Sequence, residues 1–173
     1  MTASPLAETP PDFAVDVVIE SDAWQALPDA EAIVHRAIAL AAAAGVMTNH
    51  PGTEVSVMLC DDATIAGLNA RWRDQARPTN VLSFPAPQVR AVSGRRMPLG
   101  DIAIAYETVA REAREQGKPV ADHLCHLVVH GLLHLLGYDH QADGEAERME
   151  RLERDILARI GIADPYASRD AGI

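Results

Sequence analysis

The stretch HLVVHGLLHLLGYDH, residues 126–140, sets four histidines in an apolar run. Its hydrophobicity predicts a buried helix from about 122 to 136. Gly137 is placed to stop that helix, because glycine readily takes the left-handed conformation that closes one. Residues four apart share a helix face, roughly 5–6 Å apart at Cβ, so His130 and His134 can present two imidazoles to one ion. A sharp turn at Gly137 then brings His140 back as a third ligand. Three neutral nitrogens with a fourth position left for water is the arrangement of catalytic zinc; structural zinc sites are usually closed by four ligands. A lone histidine on an apolar face is more often a packing residue, but the pair, and then a third behind a helix-stopping glycine, shift the reading to metal. His126, one turn before His130, is read as a packing residue or a support behind the ligands. His123 reads as a residue of the first turn, and His35 and His50 have no companions.

The spacing is H-x3-H-x5-H, with glycine three residues after the second histidine. The metzincin proteases use the same spacing, HExxHxxGxxH. Their glutamate is the general base, and here that position is Gly131. The ion-binding geometry is present without the base for peptide hydrolysis.

Outward from the histidines, the pattern alternates between strands and helices. FAVDVVIE (13–20) alternates as a half-buried strand. Pro28 and Asp29 open an alanine-rich helix that Gly45 can end. EVSVMLC (54–60) reads as a second strand, after which Asp61 or Asp62 can cap the helix DATIAGLNARWR (62–73). VLSFP (81–85) is a short third strand ended by Pro85 and Pro87, and 86–98 is a polar loop. LGDIAIAYE (99–107) is a fourth strand. Helices follow over about 108–116, the histidine helix, and about 145–160. Strands early and helices late predict an α+β fold: a small, mostly four-stranded sheet packed with helices in a single domain. That domain is expected over 13–162, between loose tails at 1–12 and 163–173.

Composition narrows the function. The chain has 173 residues, 48% of them hydrophobic, enough for one substantial core. Its formal charge of −10 argues against general nucleic-acid stickiness. Between 71 and 96, however, six arginines (Arg71, Arg73, Arg77, Arg90, Arg95, Arg96) face one acid, Asp74. One face can therefore hold phosphates while the glutamate-rich last helix repels them, provided those arginines cluster in space. Cys60 and Cys125 form no CxxC pair and read as reduced core residues. No basic-then-apolar leader opens the chain, and no apolar run reaches the roughly 20 residues of a membrane span. A soluble, cytoplasmic protein with no membrane partner is expected.

Three ordered motifs then carry a resemblance. HGLLHLLGYDH (130–140), LNARWRDQARPTNVLSFP (68–85) and LGDIAI (99–104) resemble the signatures of the YbeY family of bacterial endoribonucleases, or rRNA maturation factors. The resemblance covers about 55–141. It implies a zincin-like α+β fold with one metal, usually zinc, on His130, His134 and His140. It also implies cleavage of single-stranded RNA, tied to 16S rRNA 3′-end maturation and ribosome quality control, with the small ribosomal subunit as a partner. By position, Arg73 matches an arginine needed for activity.

The residues are compatible with that chemistry. A three-histidine zinc brings bound water to a pKa of about 7, and a guanidinium such as Arg73 forks onto phosphate oxygens and stays charged. Arg73 can also be read as a solvated residue at a helix end. Asp101 can orient a water or hold a ligand imidazole, and Asp139 is the other candidate for that role; both read first as structural or as supports behind the ligands. A zinc-stabilised ribosome-assembly adaptor is the alternative, and a metallopeptidase, lacking its glutamate, a weaker one.

Overall fold

A computed structural model of the chain describes residues 12–88, 90, 92–139 and 143–167. Strands β1 (Phe13–Ile19), β2 (Thr53–Cys60), β3 (Val81–Pro85) and β4 (Met97–Ala105) form one sheet in the order β1-β2-β4-β3. β1, β2 and β4 run parallel, and β3 closes the edge antiparallel to β4, pairing Val81 with Ile104 and Pro85 with Gly100. Helices α1 (Ala30–Ala43), α2 (Asp62–Arg73), α3 (Tyr106–Glu115), α4 (Val120–Leu135) and α5 (Asp143–Ala158) complete the α+β domain.

Alternation along the strands sorts the side chains into two cores. Val55, Val57, Leu59, Ile102 and Ile104 face α1 and α4, and with Leu124, Val128, Leu132 and Leu133 they form the main core. The opposite face holds a smaller cluster of Cys60, Ile65, Leu82, Ala103 and Ala105, with Phe84 packed against it. α4 is apolar nearly all round because it lies between the sheet, α1 and α5. Burial lifts the Cys60 thiol to a pKa of about 12 and that of Cys125 to about 11, so both are inert thiols of the core.

Several features differ from the sequence reading, each for a local reason. Ile102, Ile104 and Tyr106 continue the strand alternation, yet Tyr106 already begins α3, packed edge-on against Trp24 at 5.1 Å. A 3-10 helix, Asp22–Ala26, was too short to show periodicity; it seats Trp24, whose Nε1 donates to the Cys60 carbonyl at 2.9 Å. α4 starts at Val120, directly after Pro119, and His123 closes its first turn, its amide donating to the Pro119 carbonyl at 3.1 Å. It is buried and bonded to Glu112 at 2.7 Å. The stretch expected to be a loose tail from 163 contains Tyr166, which is 7% exposed and reaches α5 and α4.

Candidate functional site

The end of α4 builds the centre. Leu136 is the helix cap and Gly137, at φ +93°, turns the chain left-handed. Tyr138 N donates to the Leu133 carbonyl and Gly137 N to that of His134, both at 3.0 Å, the paired bonds of a Schellman closure. The same turn aims the Tyr138 carbonyl at His134, whose Nδ1 lies 3.0 Å away. His140 falls outside the described residues.

His130 and His134 meet as the i, i+4 spacing requires: their Nε2 atoms are 3.1 Å apart. The protonation of both rings follows from their other nitrogens. His134 Nδ1 faces a carbonyl, which only accepts, so it carries the hydrogen. His130 Nδ1 lies 2.5 Å from Glu153 Oε1. Burial pushes the Glu153 carboxyl up, but the hydrogen bond with His130 and the nearby His126 ring overcome it and hold the pKa at about 2. As an ionised acceptor it leaves the hydrogen on His130 Nδ1. The two Nε2 atoms are thereby turned toward each other across 3.1 Å, a separation that a shared proton or a cation between them can bridge. Two ligands on zinc bonds of 2.0–2.1 Å stand about 3.3 Å apart in a tetrahedron, so the donors fit such an ion.

Glu153 is the residue that the sequence reading missed. It is fully buried. Its carboxylate also accepts from the Tyr166 hydroxyl. His126 Nε2 stands 3.7 Å from Oε1, and burial lowers the His126 pKa, favouring the neutral ring. His126, His130 and Glu153 offer ligand atoms within 4.8 Å of one another, a group that could hold a metal ion. However, the 2.5 Å contact between Glu153 and His130 is a hydrogen-bond distance, shorter than the edge between two ligands of one ion. The helix pattern carried a signal for Glu153: Met149, Glu153 and Leu157 are spaced by four, which puts an acid on the apolar stripe of α5.

Arg73 arrives from the other side of the sheet edge. Asp61 caps the start of α2 through the Thr64 amide at 2.8 Å. At its end Asp74 takes the left-handed conformation, φ 55°. Asn69, almost fully buried, pins the following turn through the Arg77 carbonyl at 2.9 Å. Asn80 accepts from the Val81 amide and donates to Glu112, fixing the start of β3. Held between these anchors, Arg73 reaches the Ser83 carbonyl at 3.5 Å. It lines one open cleft of about 460 Å³ together with Ser83, His130, His134, Tyr138 and Asp139.

The other candidates separate. Asp139 lines the cleft, but Asp101 does not. Asp101 pairs in register with Phe84 and shares the face of Ala103, away from α4. Gly131 packs against the sheet: a Cβ there would stand 3.0 Å from Ile102 Cγ2 and 3.1 Å from Ser83 Oγ. The protease glutamate has no room at this position. Arg71, Arg73 and Arg77 gather at the end of α2, while Arg95 and Arg96 stand on the connection between β3 and β4.

Residues 19–161 match the family model described as Endoribonuclease YbeY. A Bradyrhizobium sp. (strain BTAi1) protein named Endoribonuclease YbeY is 54% identical, with 98% of each chain covered. A Rhodopseudomonas palustris (strain BisA53) protein of the same name is 57% identical over 91% of this chain and 92% of its own. The solution structure of TM1509 from Thermotoga maritima shares the fold, with a TM-score of 0.50, 24% identity, and 92% of this chain and 99% of that chain covered.

Proposed function

This chain belongs to the YbeY family of endoribonucleases, and from that premise we propose a zinc-dependent hydrolase that cuts single-stranded RNA, with the 16S rRNA precursor of the small ribosomal subunit as its substrate. The observation that carries this reading is the shared cleft, in which a guanidinium, two convergent imidazoles and a carboxylate face the same space. His130, His134 and His140 are the proposed ligands. Among the described residues no helix is long and apolar enough to cross a membrane.

A zinc ion in that position supplies a Lewis acid for a phosphoryl oxygen and lowers the pKa of water. The protein's own groups do the rest. Glu153 and the Tyr138 carbonyl hold the two rings with Nδ1 protonated, so that Nε2 is always the donor to the ion. Arg73 offers a planar cation to the phosphate, where charge grows as the phosphodiester is attacked. Asp139 is the cleft carboxylate that can orient a water, the role that Asp101 cannot fill from the far face of the sheet.

The test is cleavage of a labelled single-stranded RNA by metal-free and zinc-loaded protein, beside a His134→Ala variant purified identically. Zinc-restored cleavage that is absent from the variant is the expected result. Cleavage that survives both chelation and His134→Ala would assign the activity to a contaminating nuclease. Zinc-dependent RNA binding with no cleavage would favour the adaptor.

A further inference from the structure

On the side of β3 away from the histidines stands Trp72, 62% exposed. The only other tryptophan, Trp24, is 2% exposed. An indole so open to water on a charged helix end loses hydrophobic stabilisation that burial would give it. It is also held in a defined setting. The Phe84 ring lies 6.2 Å from it at 57°, and the Arg71 guanidinium sits 5.3 Å from its ring centroid. Phe84 alternates with Ser83 and Pro85, which line the cleft, so the aromatic pair and the cleft are the two faces of one edge strand.

Consecutive helix residues project about 100° apart. Arg73 therefore turns around the β3 edge to Ser83, while its neighbour Trp72 stays with Phe84. A polyanionic strand crossing this edge would meet a cation on one side and a flat aromatic surface on the other. Arg71, Arg73 and Arg77 outnumber the local acids, Asp74 and Asp101. Charge complementarity and continuity with the cleft favour a polyanionic strand at this edge, and the flat aromatic surface suits an unpaired nucleobase of the RNA strand whose phosphate lies at Arg73.

We infer that Trp72, backed by Phe84 and Arg71, is a base-stacking platform that selects single-stranded RNA for the cleft. The inference rests on the endoribonuclease reading. Selection follows from physics: a base inside a duplex has both faces stacked already, so only an unpaired base can lie on the indole.

The experiment uses the zinc-loaded full chain, a mixed-sequence single-stranded oligoribonucleotide, and the same RNA annealed to its complement. Trp72→Ala should raise KM for the single strand roughly 10-fold or more, as expected for one lost base stack, with kcat and zinc content little changed. Trp72→Phe should restore most of the affinity. The single strand should quench the wild-type tryptophan emission, and this quenching should vanish in Trp72→Phe, where only buried Trp24 emits. Trp72→Ala with wild-type KM, or equal quenching by the duplex, overturns the platform while leaving the endoribonuclease reading intact. Wild-type protein that neither binds nor cuts the single strand overturns both.

Discussion

Glu153 on α5 and His130 on α4 are hydrogen-bonded at 2.5 Å, joining two helices through a carboxylate that no solvent reaches. An ionised carboxylate in such a place is costly unless it is fully paired, and here the rings of α4 and the Tyr166 hydroxyl pair it. The same bond decides which nitrogen of His130 faces the cleft. Fold and site are therefore linked through one side chain.

Glu153→Gln should consequently weaken zinc binding by about 10–100-fold, the usual effect of losing a carboxylate behind a ligand histidine. It should also lower the thermal midpoint of the metal-free protein. Competition with a chromogenic chelator measures the first and melting without metal the second. Unchanged zinc affinity would remove Glu153 from the site. Tyr166→Phe, which leaves the carboxylate and removes one donor, should show a smaller change in the same direction.

The sequence revealed the site unevenly, and the reasons are physical. His130 and His134 were legible because i, i+4 is fixed by helix geometry, and the Gly137 closure by its need for positive φ. The four strands were legible from alternation. Glu153 was not, because its partner is 23 residues away in sequence and an acid within a charged helix looks solvated. Asp101 stayed a candidate for the opposite reason: it lies in a motif beside cleft residues, but strand alternation with Ile102 and Ile104 turns it to the other face, where it pairs with Phe84.

Gly131 tests why this helix lacks the protease glutamate. Gly131→Glu should destabilise the fold by about 3 kcal/mol or more, since it drives a charged group into the contact with Ile102 and Ser83. Gly131→Ala adds one methyl at 3.0–3.2 Å from those side chains. Its helix-propensity gain of about 1 kcal/mol offsets part of an overpacking cost of about 1–3 kcal/mol. Denaturant melts should rank wild type above Ala and Ala far above Glu. A Gly131→Glu protein as stable as wild type would show that α4 can lift from the sheet.

Glu112 should shape the acid limb of stability. Its pKa is shifted below the ordinary 4.5: burial raises it, but the bonds from His123 and Asn80 lower it by more. Below that ordinary value the unfolded chain takes up a proton that the folded carboxylate still refuses. The stabilisation is therefore complete above about 4.5 and is lost as the pH falls through the lower folded value. Glu112→Gln should flatten this limb in thermal midpoints measured from pH 6 downward. An identical slope in the variant would place the acid sensitivity elsewhere.

Arg73 separates catalysis from binding. It is exposed and reaches the cleft from a turn pinned by Asn69, so its removal should leave the fold and the zinc content unchanged. If the guanidinium meets charge that develops on the phosphate, Arg73→Ala should lower kcat by roughly 10²–10³-fold, the range for one well-placed electrostatic donor. KM should move far less, since an interaction made mainly in the transition state is lost from kcat. Arg73→Lys should recover part of the rate, because it restores the charge without the planar fork. If Arg73 only anchors the strand, the pattern inverts: KM rises, kcat holds, and the salt dependence of binding flattens by about one phosphate contact. Steady-state kinetics at two salt concentrations distinguish the two, and the inverted pattern would remove Arg73 from the chemical step.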